Sequence, residues 1–280
     1  MRLKTKQITL ILLLLLSITP GFGALPNTAV WEIRPTVGSD TNGGGFDSTA
    51  GGTDMSQFNN KNAAACTSCQ SSTANISTTD AIAAGTTTIT SITAAFTSAI
   101  TGNIINLSGG TGSLTSGWYR AAFVSSTSIT VDRAVAIGTG ITMNIGGAFS
   151  TLGQMNGIAV QSNITWVKAS GTISITSGIP INYSSNGSAN ASTQISGYTS
   201  TRGDGGVVTI QQTSGTSNPM VGISGIGALT FRNFVFDCNS TATTALSIQG
   251  TNGSNIAENI LAKNCGGGNT VNFNMVVHRS

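Results

Sequence analysis

Few side chains here can give, take or hold charge. After residue 24 the chain has seven Asp, two Glu and one His, His278, which stands two residues before the end. Cleaving a glycosidic bond by acid and base needs two carboxylates held close together. The sequence has no Asp-Asp pair and no Asp cluster. The groups left as candidate catalytic residues are Arg202 and Asp204, joined through Gly203 on a glycine-rich turn, and Asp237 with Lys263, 26 residues further on. Turn chemistry and a surface ion pair are the competing reading of these four, because such pairs are common and contribute little energy. Asp40, Asn42 and Asp47 place three oxygen-bearing side chains around the run Gly43-Gly44-Gly45, a composition that could wrap calcium. The EF-hand pattern fails, since its twelfth position from Asp40 is Gly51, and ordinary Gly/Asn/Asp turns are the stronger alternative. Calcium is the one cofactor the sequence offers.

The cysteines give two further options. Cys66 and Cys69 form a CxxC pair, but Cys238 and Cys265 lie 27 residues apart and His278 is the only histidine, so a zinc tetrad fails on spacing. A local Cys66–Cys69 disulfide and two free thiols stay open equally. For Cys238 and Cys265 two reduced thiols are expected, because a one-residue slip between neighbouring strands turns a side chain to the opposite face unless a bulge intervenes.

The elements that must position these groups are strands. Gly is abundant, at 36 residues, only 8% of the chain is charged, and apolar residues are scattered among Ser, Thr and Asn instead of recurring at helical spacing. Arg2, Lys4 and Lys6 precede an apolar run from Ile8 to Ile18 and the small residues Gly21, Gly23 and Ala24. This is the anatomy of a secretory signal peptide, too short to span a bilayer at about 20 residues. With it removed, nine basic residues balance nine acidic ones, which gives no basis for a nucleic-acid partner or a membrane span in the mature chain. Four regions are expected: a signal peptide over 1–23, a lead-in strand and loops over 24–79, a small antiparallel β-module over 80–149, and a repetitive region over 150–280.

In the last region Val221-Gly-Ile-Ser-Gly225 lies over Leu246-Ser-Ile-Gln-Gly250 at a step of 25, and another 25 reaches Val271. At a step of 26, Arg232 lies over Glu258, Asn233 over Asn259 and Asp237 over Lys263. Repeats of this length, with no room for helices, predict parallel strands stacked coil on coil, with the asparagines at a bend.

From about Gly157 onward, the Leu229-Thr-Phe-Arg-Asn-Phe-Val-Phe-Asp237 rung and the stacked Asn259 resemble the right-handed parallel β-helix proteins of the pectate-lyase-like superfamily. The resemblance implies an all-β solenoid of about 25 to 26 residues per coil and a function along polysaccharides. The expected protein is a secreted or cell-surface rod that binds an extended polysaccharide or a surface partner. A polysaccharide lyase or glycoside hydrolase with an incomplete catalytic region is the alternative, and a phage tailspike-like rod a further one, against which the signal peptide counts. Catalysis is the weaker expectation. The chain stops in what would be the next rung, so the expectation is also of a fragment whose uncapped end favours a homo-oligomer.

Overall fold

The computed structural model describes residues 25–59, 77–183, 193–215, 219–226, 228–242, 244–250, 255–266 and 271–273. The segment 1–23 expected to be a signal peptide, the Cys66/Cys69 pair, His278 and the last seven residues lie outside them.

The chain opens with β1 (Ala29–Ile33), which turns back on β2 (Gly45–Asp47) as an antiparallel pair. Alternation sets the faces of β1: Ala29, Trp31 and Ile33 are buried in the core, and Trp31 stacks on Phe149 at 5.8 Å.

A barrel then interrupts this sheet. It is built from β3 (Ser77–Ala83), β4 (Thr88–Thr90), β5 (Ile104–Ser108), β6 (Thr111–Gly112), β7 (Gly117–Ser125), β8 (Ser128–Val131) and β9 (Gly138–Ile145). Six of them close in the order β3-β4-β8-β7-β5-β9 and back to β3, all antiparallel, with β6 attached outside to β9. A six-strand barrel has a narrow interior, and the sequence fills it accordingly. The inward positions alternate small Ala81, Ala83 and Ala121 with Ile89, Ile105, Leu107, Ile129, Ile141 and Met143, all buried.

The remaining strands are β10 (Ile164–Lys168), β11 (Thr172–Ile175), β12 (Ile179–Asn182), β13 (Thr193–Tyr198), β14 (Val208–Gln212), β15 (Val221–Ile226), β16 (Leu229–Asp237), β17 (Leu246–Gly250), β18 (Ile256–Lys263) and β19 (Val271–Phe273). They join β1 and β2 in an eight-stranded mixed sheet, ordered β11-β14-β16-β13-β10-β1-β2 with β18 also on β16, and form a four-stranded parallel sheet β12-β15-β17-β19. The long strand β16 organises the larger sheet. Its first half pairs with β13, its second half with β14, and nearly its whole length with β18. The bend between its halves is Asn233, in the left-handed region at φ 66°, and β18 bends beside it at Asn259, φ 52°. Asn259 donates its amide to the Asn233 side-chain oxygen at 3.0 Å, and Asn233 donates to the Gly197 carbonyl at 3.3 Å. Asparagine tolerates this conformation because its short amide bonds locally. Phe231, Phe234 and Phe236 meet inside the bend, with ring centroids 4.5 to 6.3 Å apart.

The expected right-handed parallel β-helix solenoid is therefore corrected to an all-β fold of a closed antiparallel barrel and a curled mixed sheet. A solenoid needs a constant coil, and the chain does not keep one. Ile164 lies opposite Gln194, thirty residues on; Gln194 opposite Thr230, thirty-six on; and Thr230 opposite Ile256, twenty-six on. Val30 reaches Ile164 across the whole barrel, and β2 closes that side of the sheet antiparallel. The steps of 25 and 26 are the pairing registers of β15 with β17, of β17 with β19, and of β16 with both β14 and β18, local to those strands.

The expectation of two reduced thiols also fails. Cys238 and Cys265 form a disulfide with Cα atoms 4.8 Å apart. The register holds as far as Asp237 opposite Lys263, and Asn264, in the left-handed region at φ 55°, then adds the extra residue that turns Cys265 toward Cys238. Among the described residues no helix is long and apolar enough to cross a membrane.

Candidate functional site

On the outer face of the mixed sheet one row crosses five strands in register: Glu32, Trp166, Ser196, Arg232 and Glu258. Because strand neighbours alternate faces, all five side chains point away from the aromatic core. The two ends of the row behave differently.

At the β1 end Glu32 is fully buried and saturated. Arg34 donates to one carboxylate oxygen at 2.8 Å, Arg202 donates to the other at 2.8 Å, and the Tyr198 hydroxyl adds a third bond. Burial first, and then the charge and hydrogen bond of Glu32, push the Tyr198 phenol well above its ordinary range, so it stays a donor. Arg202 also reaches Asp54 at 2.8 Å and the Ser56 hydroxyl at 3.2 Å. Two guanidinium groups against two carboxylates leave the cluster neutral, which is what burial demands.

At the β18 end the charges are not saturated. Arg232 and Glu258 stand opposite each other on adjacent strands, yet among the described residues they form no ion pair. The cause lies on the other side of Arg232: its Nε donates to the Ser196 hydroxyl at 2.8 Å, and buried Ser196 is itself held by Gln194 at 2.8 Å. The guanidinium is drawn toward β13 and away from Glu258. An open cleft of about 370 Å³ lies here, lined by Arg232, Asn233, Glu258 and Asn259 from the bend and by Gly203 and Gly205 from the loop after β13.

That loop, residues 199–206, is internally knotted. The Asp204 carboxylate accepts the backbone N–H groups of Thr199, Ser200, Thr201 and Gly206 at 2.7 to 3.0 Å. These four bonds hold its carboxyl far below the ordinary range. Gly203 and Gly205 sit at φ 91° and 78°, which side-chain-bearing residues rarely adopt.

The structure brings Asp237 and Lys263 together but gives Arg202 and Asp204, though on one loop, separate partners. Arg202 is a structural partner of Glu32 and Asp54, and Asp204 ties its own loop. Asp237 and Lys263 form an ion pair at 3.4 Å, and Asp237 also accepts from Asn264 and from the Asn239 backbone. The hydrogen bond from Asn264 leads in lowering the Asp237 carboxyl, opposed by burial and helped by Lys263.

The possible calcium ligands are likewise apart in their bonding. Asp40 accepts from the Ser150 and Thr151 backbone and the Thr151 hydroxyl; Asn42 donates to the Ala148 carbonyl; Asp47 accepts from Thr28, Thr49 and Arg120. Among the described residues no group of three or more His, Cys, Asp or Glu is placed to hold a metal ion. Sequence reasoning missed Glu32, Arg232 and Glu258 as site residues. The step-26 alignment contained Arg232 and Glu258, but as an attracting pair and not as two charges facing an open cleft.

Comparison of the chain with protein families, with curated proteins and with solved structures finds no match. The likeness to the pectate-lyase-like superfamily falls on both counts: no family matches, and the fold is a barrel with a curled mixed sheet.

Proposed function

We propose that this chain is an exported or cell-surface protein that binds an extended polysaccharide or cell-surface glycan at the Arg232–Glu258 cleft. The observation that carries the reading is the unpaired juxtaposition of a fixed guanidinium and an exposed carboxylate across open space, with two asparagine amides beside them. Sugar hydroxyls both donate and accept, so Glu258 takes hydrogen bonds from a diol while Arg232 gives them, and the amides do either. One carboxylate in the cleft supplies no acid and base pair, which favours binding over hydrolysis. Export is supported by the basic and apolar leader of the sequence and by the Cys238–Cys265 disulfide, a bond that persists in oxidising compartments.

The test is retention of the purified protein on immobilised dextran, cellulose, chitin and polygalacturonate, with new reducing or unsaturated ends followed in parallel. Retention on one of them, weakened about tenfold by Arg232→Ala or Glu258→Gln without loss of thermal stability, is expected from the loss of charge-assisted bonds. No retention on any, or retention indifferent to both substitutions, overturns the reading. Release of new chain ends overturns the non-catalytic part of it.

A further inference from the structure

We infer that Arg202 is a positioning residue that fixes one wall of the cleft by latching the 199–206 loop to the opposite end of the sheet row; the role in ligand binding rests on the function proposed above. The loop touches the cleft through Gly203 and Gly205, which flank Asp204 and have no side chain to anchor them. The Asp204 bonds all run within the loop, so they set its shape and not its place on the sheet. Its place comes from Arg202. This side chain is only 16% exposed and bridges fully buried Glu32 on β1 to Asp54 on the segment leading toward the barrel. Glu32 is held from its other side by Arg34 and Tyr198, and Arg34 is tied in turn to Asn59, so the anchor is rigid before Arg202 arrives. The planar guanidinium holds Glu32 through Nε and Asp54 through a terminal nitrogen in one fixed fork, whereas an ammonium is a point charge on a flexible stem that sets no such geometry. The residue next to a cleft wall is thus bonded to two elements distant in sequence, and the two glycines that follow inherit its position.

Two readouts need no glycan. Hydrogen exchange reports the loop, and the rate at which phenylglyoxal modifies Arg232, mapped by mass spectrometry, reports how far the wall shields the cleft. Arg202→Gln and the milder Asp54→Asn are expected to speed exchange at residues 199–206 by about tenfold or more, the loss of a charge-assisted bond. They are expected to raise Arg232 labelling several-fold, while the barrel strands β5 and β9 keep their protection and so certify the fold. Arg202→Lys, which keeps the charge but not the fork, falls between. Unchanged loop exchange overturns the latch, and faster exchange with unchanged Arg232 labelling overturns its hold on the cleft wall. If the wild type retains none of the four polysaccharides, the proposed function falls while these two readouts still decide the latch. If it retains one, affinity for that polysaccharide drops in Arg202→Gln, and an unchanged affinity overturns the positioning role.

Discussion

Reducing the Cys238–Cys265 bridge is expected to destabilise the protein substantially. The bond closes a loop of 27 residues between the ends of β16 and β18. The chain-entropy relation for a loop of that length gives about 3.5 kcal/mol at 25 °C, released from the unfolded chain when the bridge is opened. For a chain of this size each kcal/mol moves the melting midpoint by about 2–4 °C, so the expected fall is about 7–14 °C. The loss concentrates on β18, which among the described residues pairs with β16 alone and carries Glu258 and Asn259. The assay is thermal melting by circular dichroism with and without a dithiol, on a chain in which Cys66 and Cys69 are replaced by Ser, so that only one bridge can respond. Alkylation before and after reduction counts the thiols. Coincident melts, or two thiols free before reduction, refute the reasoning, because either the bridge does not form or the unfolded chain is already confined without it.

Other consequences follow from the bend and from one buried carboxylate. Asn233→Ala is expected to cost about 2 kcal/mol in urea unfolding, combining left-handed strain with the loss of the bonds to Gly197 and Asn259. Asn233→Gly keeps the conformation and loses only the bonds, at about 1 kcal/mol; equal costs for the two would remove the conformational argument. Phe231→Ala, at the centre of the buried phenylalanine cluster, is expected to cost about 3–5 kcal/mol by the same measurement, and less than about 1 would mean the bend is loosely packed. Burial works to raise the Asp47 carboxyl, but hydrogen bonds from Thr28, Thr49 and Arg120 outweigh it and bring the pKa down to about 2. A lowered pKa stabilises above the ordinary value and is lost as pH falls, so about 2 kcal/mol should disappear between about pH 4 and pH 2. Stability measured across that window should lose this component of its slope in Asp47→Asn, and an unchanged slope would assign it to other carboxylates.

The alternation of Ala29, Trp31 and Ile33 shows a half-buried strand, and the step of 26 places Arg232 opposite Glu258, as the paired strands have it. The asparagines at the bend were legible for the same reason: they break an apolar alternation at equivalent places in two paired strands. What the sequence did not carry was the joining of these pieces. Nothing periodic links Val30 to Ile164, with a closed barrel between them, and the repeat of the neighbouring C-terminal units does not extend to strands whose steps are thirty and thirty-six. The disulfide was hidden by the single residue Asn264, whose left-handed conformation undoes the slip that the spacing implied.

The cleft shows why site chemistry is harder to read than register. Two opposite charges in register on adjacent strands should pair, and Asp237 with Lys263 does so at 3.4 Å. Arg232 and Glu258 have the same register and the opposite outcome, because the Arg232 guanidinium has a competing partner in Ser196, thirty-six residues earlier. Ser196 can compete because it is buried and already fixed by Gln194, so the guanidinium loses little freedom in joining it. A surface pair contributes at most about 1 kcal/mol, less than a charge-assisted hydrogen bond to a buried, ordered hydroxyl. The geometry therefore turns on a comparison between two neighbouring strands, β13 and β18, of which the repeat displays only one. Replacing Ser196 with Ala should let Arg232 swing to Glu258 and fill the cleft, so the same substitution that removes one hydrogen bond should abolish glycan retention while leaving both charged residues in place.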